Sequence, residues 1–126
     1  MLHVPHETLA VVIVDHGSKN PAANQMLLDV VARFKWGTEL PIVEPAHLAL
    51  TEPTIEQAFA RCVAQGATLV VVHPYFLAPG HHSMVSVPEQ AATAAEKHGV
   101  KYRITKPLGM HDMIVGVIAE RVEECL

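Results

Sequence analysis

A chain of 126 residues, of which 50% are hydrophobic and 17% charged, can bury one apolar core and is not an intrinsically disordered protein. Its formal net charge of −4 argues against a protein that coats nucleic acid. The two cysteines form no Cys-x-x-Cys pair, which excludes a zinc knuckle or a four-cysteine iron–sulfur site within one chain, so we expect two reduced thiols.

The hydropathy of the chain predicts a cytoplasmic protein. No apolar stretch approaches the roughly 20 residues that a membrane-spanning helix needs. Residues 1–8 lack the basic segment and the long apolar run of a signal peptide. We therefore expect a single domain, residues 1–126, with no membrane or nucleic-acid partner.

The first predicted strand is an apolar, mostly β-branched run at residues 10–14, which is typical of a strand buried on both faces. Asn20 followed by Pro21 predicts the N-cap and first residue of a helix. Five apolar residues then share one helical face: Ala23, Leu27, Val30, Val31 and Phe34. Residues 41–48 form the second predicted strand, and Pro45 places it at a sheet edge because proline cannot donate to the ladder.

A second helix follows, since five apolar residues have the spacing of one helical face: Ile55, Ala58, Phe59, Cys62 and Val63. Gly66 ends this helix. Residues 69–72 form the second buried strand. The sequence Ser-Val-Pro-Glu, which begins at Ser86, matches a capping box and predicts the start of the third helix.

The fourth strand, residues 100–105, alternates apolar and polar side chains, which suits the opposite edge of the sheet. The fourth helix carries Ile114, Val117, Ile118, Arg121 and Cys125 on adjoining turns. Strands and helices thus alternate along the chain. This pattern predicts a flavodoxin-like α/β domain with a four-stranded parallel sheet of order 2-1-3-4 and helices on both faces.

The expected binding site of such a sheet lies beyond the carboxyl ends of its strands, where the strand order reverses. Here that point falls between strands one and three, which are followed by residues 15–19 and 73–83. Both loops contain histidine, and both contain glycine, which lets the backbone approach a ligand closely. Imidazole binds Co, Ni, Fe and Zn ions and is a base near neutral pH. The sequence therefore predicts a histidine site in this cleft.

The chain contains nine histidines, and their positions differ in how well they suit such a site. His16 and His82 lie on the two switch-point loops and are the functional candidates. His81 is a weaker one, because the side chains of adjacent loop residues usually diverge. His73 ends a buried strand and is expected to be a hydrogen-bonded core residue, whereas His47 fits either a structural or a functional role. The histidines expected on the solvated surface are His3, His6 and His98.

The sequence lacks the motifs that other enzymes carry on loops of this kind. Residues 15–19 contain no Walker sequence, and the arginine of the Arg-His-Gly phosphohistidine enzymes is missing. No Gly-x-Ser-x-Gly elbow exists for a serine hydrolase. A flavodoxin-like module for a phosphorylated ligand stays open, although only Gly17 and Ser18 precede Pro21 as a phosphate loop.

Three segments around the predicted switch point carry recognisable motifs. They are Asp-His-Gly-Ser at 15–18, Glu-Pro-Ala-His-Leu at 44–48 with Glu-Pro-Thr-Ile at 52–55, and Pro-Tyr-Phe-Leu-Ala-Pro-Gly-His-His at 74–82. Together they resemble the short sirohydrochlorin chelatases of the class II, ferrochelatase-like superfamily. Residues 104–111 resemble the sirohaem-pathway ferrochelatases of the plant and cyanobacterial type. The likeness covers about residues 9 to 125.

The resemblance implies an enzyme that inserts Co²⁺, Fe²⁺ or Ni²⁺ into sirohydrochlorin or a related tetrapyrrole, in cobalamin or sirohaem biosynthesis. It implies that His16 and His82 bind the incoming metal ion, which is a substrate, and help to remove the pyrrole protons. No permanently bound cofactor is expected. The short members of the family form homodimers in which two clefts face each other across the tetrapyrrole.

Further site residues follow from their positions near the cleft. Lys19 and Lys106 follow strands one and four, where they can reach the carboxylates of the macrocycle, although solvated surface lysines are the alternative. The candidates for substrate binding are Gly17, Ser18, Lys19, Phe76, Gly80 and Lys106. Glu44 and His81 are additional candidates for binding the metal.

Two departures from the family pattern bear on activity. Ala49 stands where the family usually has an acidic residue, and Ser86 stands where it has aspartate. The second departure is mild, since serine and aspartate both cap helices. The first removes a carboxylate near the cleft, for which Glu44 is the candidate substitute. A non-catalytic metal or tetrapyrrole carrier of the same fold is therefore the rival interpretation.

Overall fold

The computed structural model describes residues 7–126, so His3, His6 and most of the segment tested for a signal peptide lie outside the described residues. Strands and helices alternate in the described chain: β1 Leu9–Asp15, α1 Pro21–Thr38, β2 Val43–His47, α2 Ile55–Ala64, β3 Leu69–Pro74, α3 Val87–His98, β4 Lys101–Ile104 and α4 Asp112–Glu123. A π-helical turn, His82–Ser86, leads into α3. None of these helices has the length and apolar character needed to cross a membrane.

The strands form one parallel sheet of order β2-β1-β3-β4, which confirms the predicted topology. β2 lies at one edge, as Pro45 required, and β4 lies at the other. Asp15 at the end of β1 pairs with His47 of β2, and Val14 pairs with Pro74 of β3. The carboxyl ends of these three strands are therefore level, and the loops that follow them start from one edge.

Helices cover both faces of the sheet, as predicted, and an apolar core lies under each helical layer. α2 and α3 cover one face, where Phe59 and Ile55 are among the largest fully buried side chains. α1 covers the other face through Leu27 and Val31. The α1 face thus has one packed helix, whereas the opposite face has two.

The ends of the first two helices show which caps hold them. Asn20 caps α1 as predicted, because its side-chain oxygen accepts a hydrogen bond from Ala22 N at 3.0 Å. α2 begins with a capping box that was absent from the predictions. Thr54 Oγ1 accepts from Gln57 N at 3.1 Å, and Gln57 Oε1 accepts from Thr54 N at 2.9 Å. Gly66 follows α2 with a φ of 95°, consistent with its predicted role as the stop.

The predicted capping box at Ser86 is wrong. Ser86 has helical dihedrals and makes no side-chain cap bond, because the chain is already helical from His82 and position 86 is not a helix terminus. Val87 N donates to His82 O inside this continuous helical segment. The serine that organises the turn is Ser83, which is buried and whose Oγ accepts from Gly80 N at 3.0 Å.

The predicted free thiols are confirmed within the described chain. Cys62 is buried in α2, and Cys125 is exposed just after α4. α4 itself carries the predicted apolar residues but has no buried residue.

Candidate functional site

Two histidines meet at the carboxyl edge of the sheet, where the strand order reverses. The ring centroids of His16 and His82 are 4.6 Å apart, with an interplanar angle of 64°. His16 follows β1, and His82 begins the helical turn after β3. Two imidazoles that share one metal ion through nitrogens about 2.0–2.1 Å from it have centroids roughly 4.5–5.2 Å apart. The pair therefore has a spacing at which both rings can bind one ion.

His16 is held in an orientation suited to metal binding. Its Nδ1 lies 3.1 Å from Gly17 O. In the tautomer that carries the proton on Nδ1, this nitrogen donates to the carbonyl, and the lone pair of Nε2 is left free for a metal. The carbonyl of Gly17 thus favours the tautomer in which Nε2 is the metal-binding nitrogen.

The loop that carries His16 is fastened to the loop that follows β2. Leu48 N donates to Asp15 O at 2.8 Å, and Ala49 N donates to His16 O at 2.9 Å. Gly17 has a φ of 90°, and a Cβ on it would lie 2.0 Å from Ala49 O. Glycine is required at position 17 because the two loops contact each other there. From the sequence, we had instead attributed this glycine to the close approach of a ligand.

A pair formed by a buried histidine and a partly exposed aspartate supports the start of the His16 loop. His47 is 2% exposed, and its Nδ1 lies 2.6 Å from Asp15 Oδ1. Asp15 directly precedes His16, so this contact fixes the point where the loop leaves β1. The contact between Asp15 and His47 was not predicted from the sequence, although the two residues end adjacent strands and are in register.

His82 is packed on an aromatic ring. Phe76 stacks on it with centroids 6.4 Å apart and an interplanar angle of 21°. Phe76 is itself partly buried against the core below α2 and α3. The ring of His81 lies 6.2 Å from that of His82 and is exposed, so it is close to the pair without being held by the core.

Glu44, a candidate metal ligand, is not brought to the histidines. Its carboxylate accepts a hydrogen bond from Gln65 Nε2 at 3.3 Å, at the far end of α2. It precedes His47 by three strand residues, which corresponds to roughly 10 Å along β2. Glu44 is also near Cys62 of α2: the pKa of this thiol is raised to about 12, mainly by burial and to a smaller extent by the Glu44 charge. Glu44 thus lies toward the amino end of the sheet, and its assignment as a ligand is corrected.

Two other histidines have structural partners. His73 Nδ1 lies 2.7 Å from Thr105 Oγ1, in agreement with its predicted hydrogen-bonded role, and burial lowers its pKa. His98, expected on the solvated surface, is half-buried, with Nε2 2.7 Å from Glu56 Oε1. The prediction for His98 was wrong because α3 packs on α2 and brings this ring to the Glu56 carboxylate.

The candidate substrate-binding residues divide into loop-forming and exposed groups. Ser18 closes the His16 loop, because its N–H donates to Asn24 Oδ1 at 2.9 Å and its Oγ accepts from Asn20 N at 2.9 Å. Lys19 and Lys106 are both exposed. Gly80 has open space where a Cβ would be.

Within residues 7–126, no group of three or more His, Cys, Asp or Glu side chains is arranged to hold a metal ion. The pair of His16 and His82 therefore offers two nitrogen donors on one side of an ion.

The sequence profile of the protein family described as CbiX matches residues 10–125. The chain is 48% identical over 117 residues to the chloroplastic sirohydrochlorin ferrochelatase of Arabidopsis thaliana, which covers 92% of this chain and 52% of that protein. It is 29% identical over 138 residues to the sirohydrochlorin cobaltochelatase of Methanococcus maripaludis, with coverages of 89% and 96%. The chain thus spans about half the length of the Arabidopsis relative and nearly all of the Methanococcus one.

Solved structures share the fold. The sirohydrochlorin chelatase SirB from Bacillus subtilis subspecies spizizenii, in complex with cobalt, superposes with a TM-score of 0.87 at 32% identity, over 93% of this chain and 50% of that one. The CbiX protein from Marinobacter aquaeolei VT8 superposes with a TM-score of 0.79 at 24% identity, over 92% and 95% of the two chains. These structures confirm the architecture predicted from the sequence.

Proposed function

The chain belongs to the CbiX family, and from this premise we propose that it is a chelatase that inserts Co²⁺ or Fe²⁺, with Ni²⁺ as a further candidate, into sirohydrochlorin or a related tetrapyrrole. The observation that carries the proposal is the pair of imidazoles, His16 and His82, with centroids 4.6 Å apart at the switch point of the sheet. Relatives of the chain are named sirohydrochlorin ferrochelatase and cobaltochelatase, so the product would serve sirohaem or cobalamin biosynthesis.

In this mechanism the two histidines hold the metal ion and later take up protons. Neutral imidazole nitrogens of His16 and His82 bind the incoming ion and leave its outward positions open. The pyrrole nitrogens of the macrocycle replace the imidazoles as ligands, and two N–H protons leave the ring as the metal enters it. Imidazoles that have released the ion are bases near neutral pH and accept those protons.

The surroundings of the pair suit a flat, acidic substrate. Phe76, stacked on His82, offers an apolar surface for the macrocycle, and the exposed amines of Lys19 and Lys106 can pair with its carboxylates. The proposed substrate-binding residues are Gly17, Ser18, Lys19, Phe76, Gly80 and Lys106. His81, whose ring lies 6.2 Å from that of His82, is an additional proposed metal ligand, although the described side chains are not arranged as a three-ligand group. No permanently bound cofactor is required, since the metal ion is a substrate.

A second copy of the chain completes the cleft in this proposal. The described residues offer two imidazole donors without a third side-chain ligand, and Leu77 in the same loop as His82 is 67% exposed. Relatives of about twice the length contain a second stretch of chain, and two copies of this domain would have their size. We therefore propose a homodimer whose clefts face each other across the tetrapyrrole.

The proposed setting of the enzyme is the cytoplasm, with no nucleic-acid or membrane partner. The low content of basic residues supports the absence of a nucleic-acid partner. The Arabidopsis relative is named chloroplastic.

A second candidate function is a metal or tetrapyrrole carrier of the same fold. It is favoured by Ala49, which bonds the His16 backbone at the position where the family usually has an acidic side chain. Such a carrier would bind its cargo with fixed stoichiometry and would not accelerate insertion.

The test is a visible-absorption time course of sirohydrochlorin with Co²⁺, Fe²⁺ and Ni²⁺, with and without the protein. The chelatase proposal expects many turnovers per chain, with a cobalt rate at least equal to the ferrous rate, because nitrogen sites bind cobalt more tightly than iron. Stoichiometric binding with the uncatalysed rate would favour the carrier. Strict dependence on iron would contradict the expected metal order.

A further inference from the structure

The pair of Asp15 and His47 closes the ladder between β1 and β2. The two residues are the last partners in the parallel register of these strands. His47 Nδ1 lies 2.6 Å from Asp15 Oδ1, and the side chains are 2% and 21% exposed, respectively. Since an ionised carboxylate only accepts hydrogen bonds, Nδ1 carries the proton and donates it. A charge-assisted bond this short holds both side chains in one geometry.

His47 is the fixed member of the pair. Its backbone N–H donates to Pro53 O at 2.8 Å, which anchors it to the segment that leads into α2. Its Cβ lies 3.1 Å from the place of a Cβ added to Gly17, so it packs directly against the His16 loop. Asp15, by contrast, stands where β1 ends and the loop begins. The bond therefore ties the start of the loop to a residue that the scaffold already holds.

The imidazole of His16 has few other contacts to orient it. Within residues 7–126, the only hydrogen bond of its ring is the one with Gly17 O, a neighbour in the same loop. Main-chain bonds from Leu48 and Ala49 hold the loop backbone against β2, and the side chain of Asp15 adds an attachment directly before His16. Binding sites tolerate a misplacement of only about 0.5 Å. An attachment at this point therefore bears on the metal site.

Stability alone does not explain why a histidine and an aspartate occupy these two positions. Burying a polar group costs free energy that its hydrogen-bond partner only partly returns. Two apolar side chains of similar volume can often fill such a place at equal or better stability. What they cannot supply is a directional bond to the residue before His16. The polar pair at the end of the ladder is thus better explained by orientation of the loop.

We propose that His47 and Asp15 are positioning residues, which orient the main chain at His16 so that its imidazole meets that of His82 at the observed spacing of 4.6 Å. They act through the loop and need no contact with the metal ion or the tetrapyrrole. This inference rests on the proposed function in one respect, the binding of a metal ion by the two histidines. Loss of supporting contacts of this kind weakens metal binding about 10-fold to 100-fold.

Two substitutions of His47 in the full chain separate positioning from packing. His47→Asn keeps an N–H donor at the place of Nδ1 but leaves a cavity where the rest of the ring was. His47→Leu fills much of the volume and has no donor. We expect His47→Asn to bind cobalt within about threefold of the wild type, although the cavity lowers its melting temperature. His47→Leu should raise the cobalt dissociation constant about 10-fold or more.

His98→Leu is the matched control, because it removes another contact between a histidine and a carboxylate. His98 Nε2 lies 2.7 Å from Glu56 Oε1, between α2 and α3 rather than beneath the His16 loop. This variant should be less stable and still bind cobalt within about threefold of the wild type. Asp15→Asn, which keeps an oxygen acceptor, and Asp15→Ala, which does not, repeat the comparison from the other partner, so that a folding defect in His47→Leu does not decide the result.

The measurement is a cobalt titration followed by visible absorption, at a temperature where circular dichroism shows every variant to be folded. The absorption bands of bound Co²⁺ should shift in His47→Leu, because the directions of its ligands change. They should match those of the wild type in His98→Leu. A loss of stability alone would not move the bands of the bound ion, so the spectrum distinguishes positioning from a general weakening of the fold.

The other outcomes overturn the inference. They are cobalt binding by His47→Leu within about threefold of the wild type, binding by His47→Asn as weak as that of His47→Leu, and an equal loss in His98→Leu. The sirohydrochlorin assay is run in parallel. A wild-type chain that shows no turnover, but whose cobalt affinity depends on His47 as expected, refutes the proposed function alone. Turnover combined with cobalt binding that is indifferent to His47 refutes the positioning role alone.

Discussion

Replacing Gly17 by alanine should damage both the stability of the domain and its metal site. The backbone at Gly17 has a φ of 90°, and an added Cβ would lie 2.0 Å from Ala49 O, a backbone atom that cannot rotate away. Left-handed backbone costs an ordinary residue about 1–2 kcal/mol, and forced overpacking adds about 1–3 kcal/mol. We therefore expect Gly17→Ala to lower the free energy of unfolding by about 2–5 kcal/mol.

Gly66 provides a matched control for the backbone contribution. Its φ of 95° is nearly the same as that of Gly17, but nothing lies within 4 Å of an added Cβ. Gly66→Ala should therefore cost only about 1–2 kcal/mol. With roughly 4 °C of melting temperature for each kcal/mol in a domain of this size, the two variants should differ by about 4–12 °C.

The assay is thermal unfolding followed by circular dichroism, with a cobalt titration of each variant at a temperature where both are folded. Gly17→Ala should also weaken cobalt binding, because the clash displaces the loop that holds His16 against Ala49. Gly66→Ala should bind cobalt like the wild type. Equal melting temperatures for the two variants would refute the steric argument, since the contacts of an added Cβ with Ala49 and His47 occur at Gly17 and not at Gly66.

Three further predictions concern the site and its surroundings. His16→Ala and His82→Ala should each abolish most metal-dependent insertion. Each should change the free energy of unfolding by less than about 0.5 kcal/mol, because His16 lies on a loop and His82 is an exposed residue at the start of a helical turn, both outside the core. Unchanged insertion rates in both variants would contradict the site. Ala49→Glu should tighten cobalt binding and raise the insertion rate if a carboxylate beside His16 is what the chain lacks, and an unchanged titration and time course would count against that. The pKa of His73 is lowered by burial. As the pH falls through about 6.5, the unfolded chain therefore binds a proton at this histidine more readily than the folded chain does, and the free energy of unfolding should decrease. His73→Gln should flatten the dependence of the melting temperature on pH in that window, and a profile identical to that of the wild type would refute the assignment.

The topology could be predicted because the relevant signals are local. The run of β-branched residues in β1, and Pro45 in β2, each determine whether a strand is central or at an edge without reference to the rest of the chain. The order of the strands then placed His16 and His82 at one edge, and their rings are 4.6 Å apart. Two loops that start from adjacent strands of a parallel sheet begin close together, so the positions of the two histidine rings are strongly constrained.

The features that were predicted wrongly depend on where a side chain points after packing. Ser86 has the residues of a capping box around it, but whether it starts a helix depends on the conformation of residues 82–85, which is set by Ser83. Glu44 has the chemistry of a ligand, but its position along β2 directs it to Gln65. His98 was expected in solvent because its partner Glu56 is 42 residues away in the sequence, on a helix whose contact with α3 no local pattern shows.

The two backbone bonds between the His16 loop and residues 48 and 49 have an evolutionary consequence. They place position 49 beside His16 through main-chain atoms alone, so these bonds do not depend on the side chain of residue 49. Alanine and glutamate differ by a single-base change in their codons. A lineage under pressure to handle a different ion can therefore alter the set of donors at this edge in one mutational step, while the sheet, the helices and the histidine pair stay as they are.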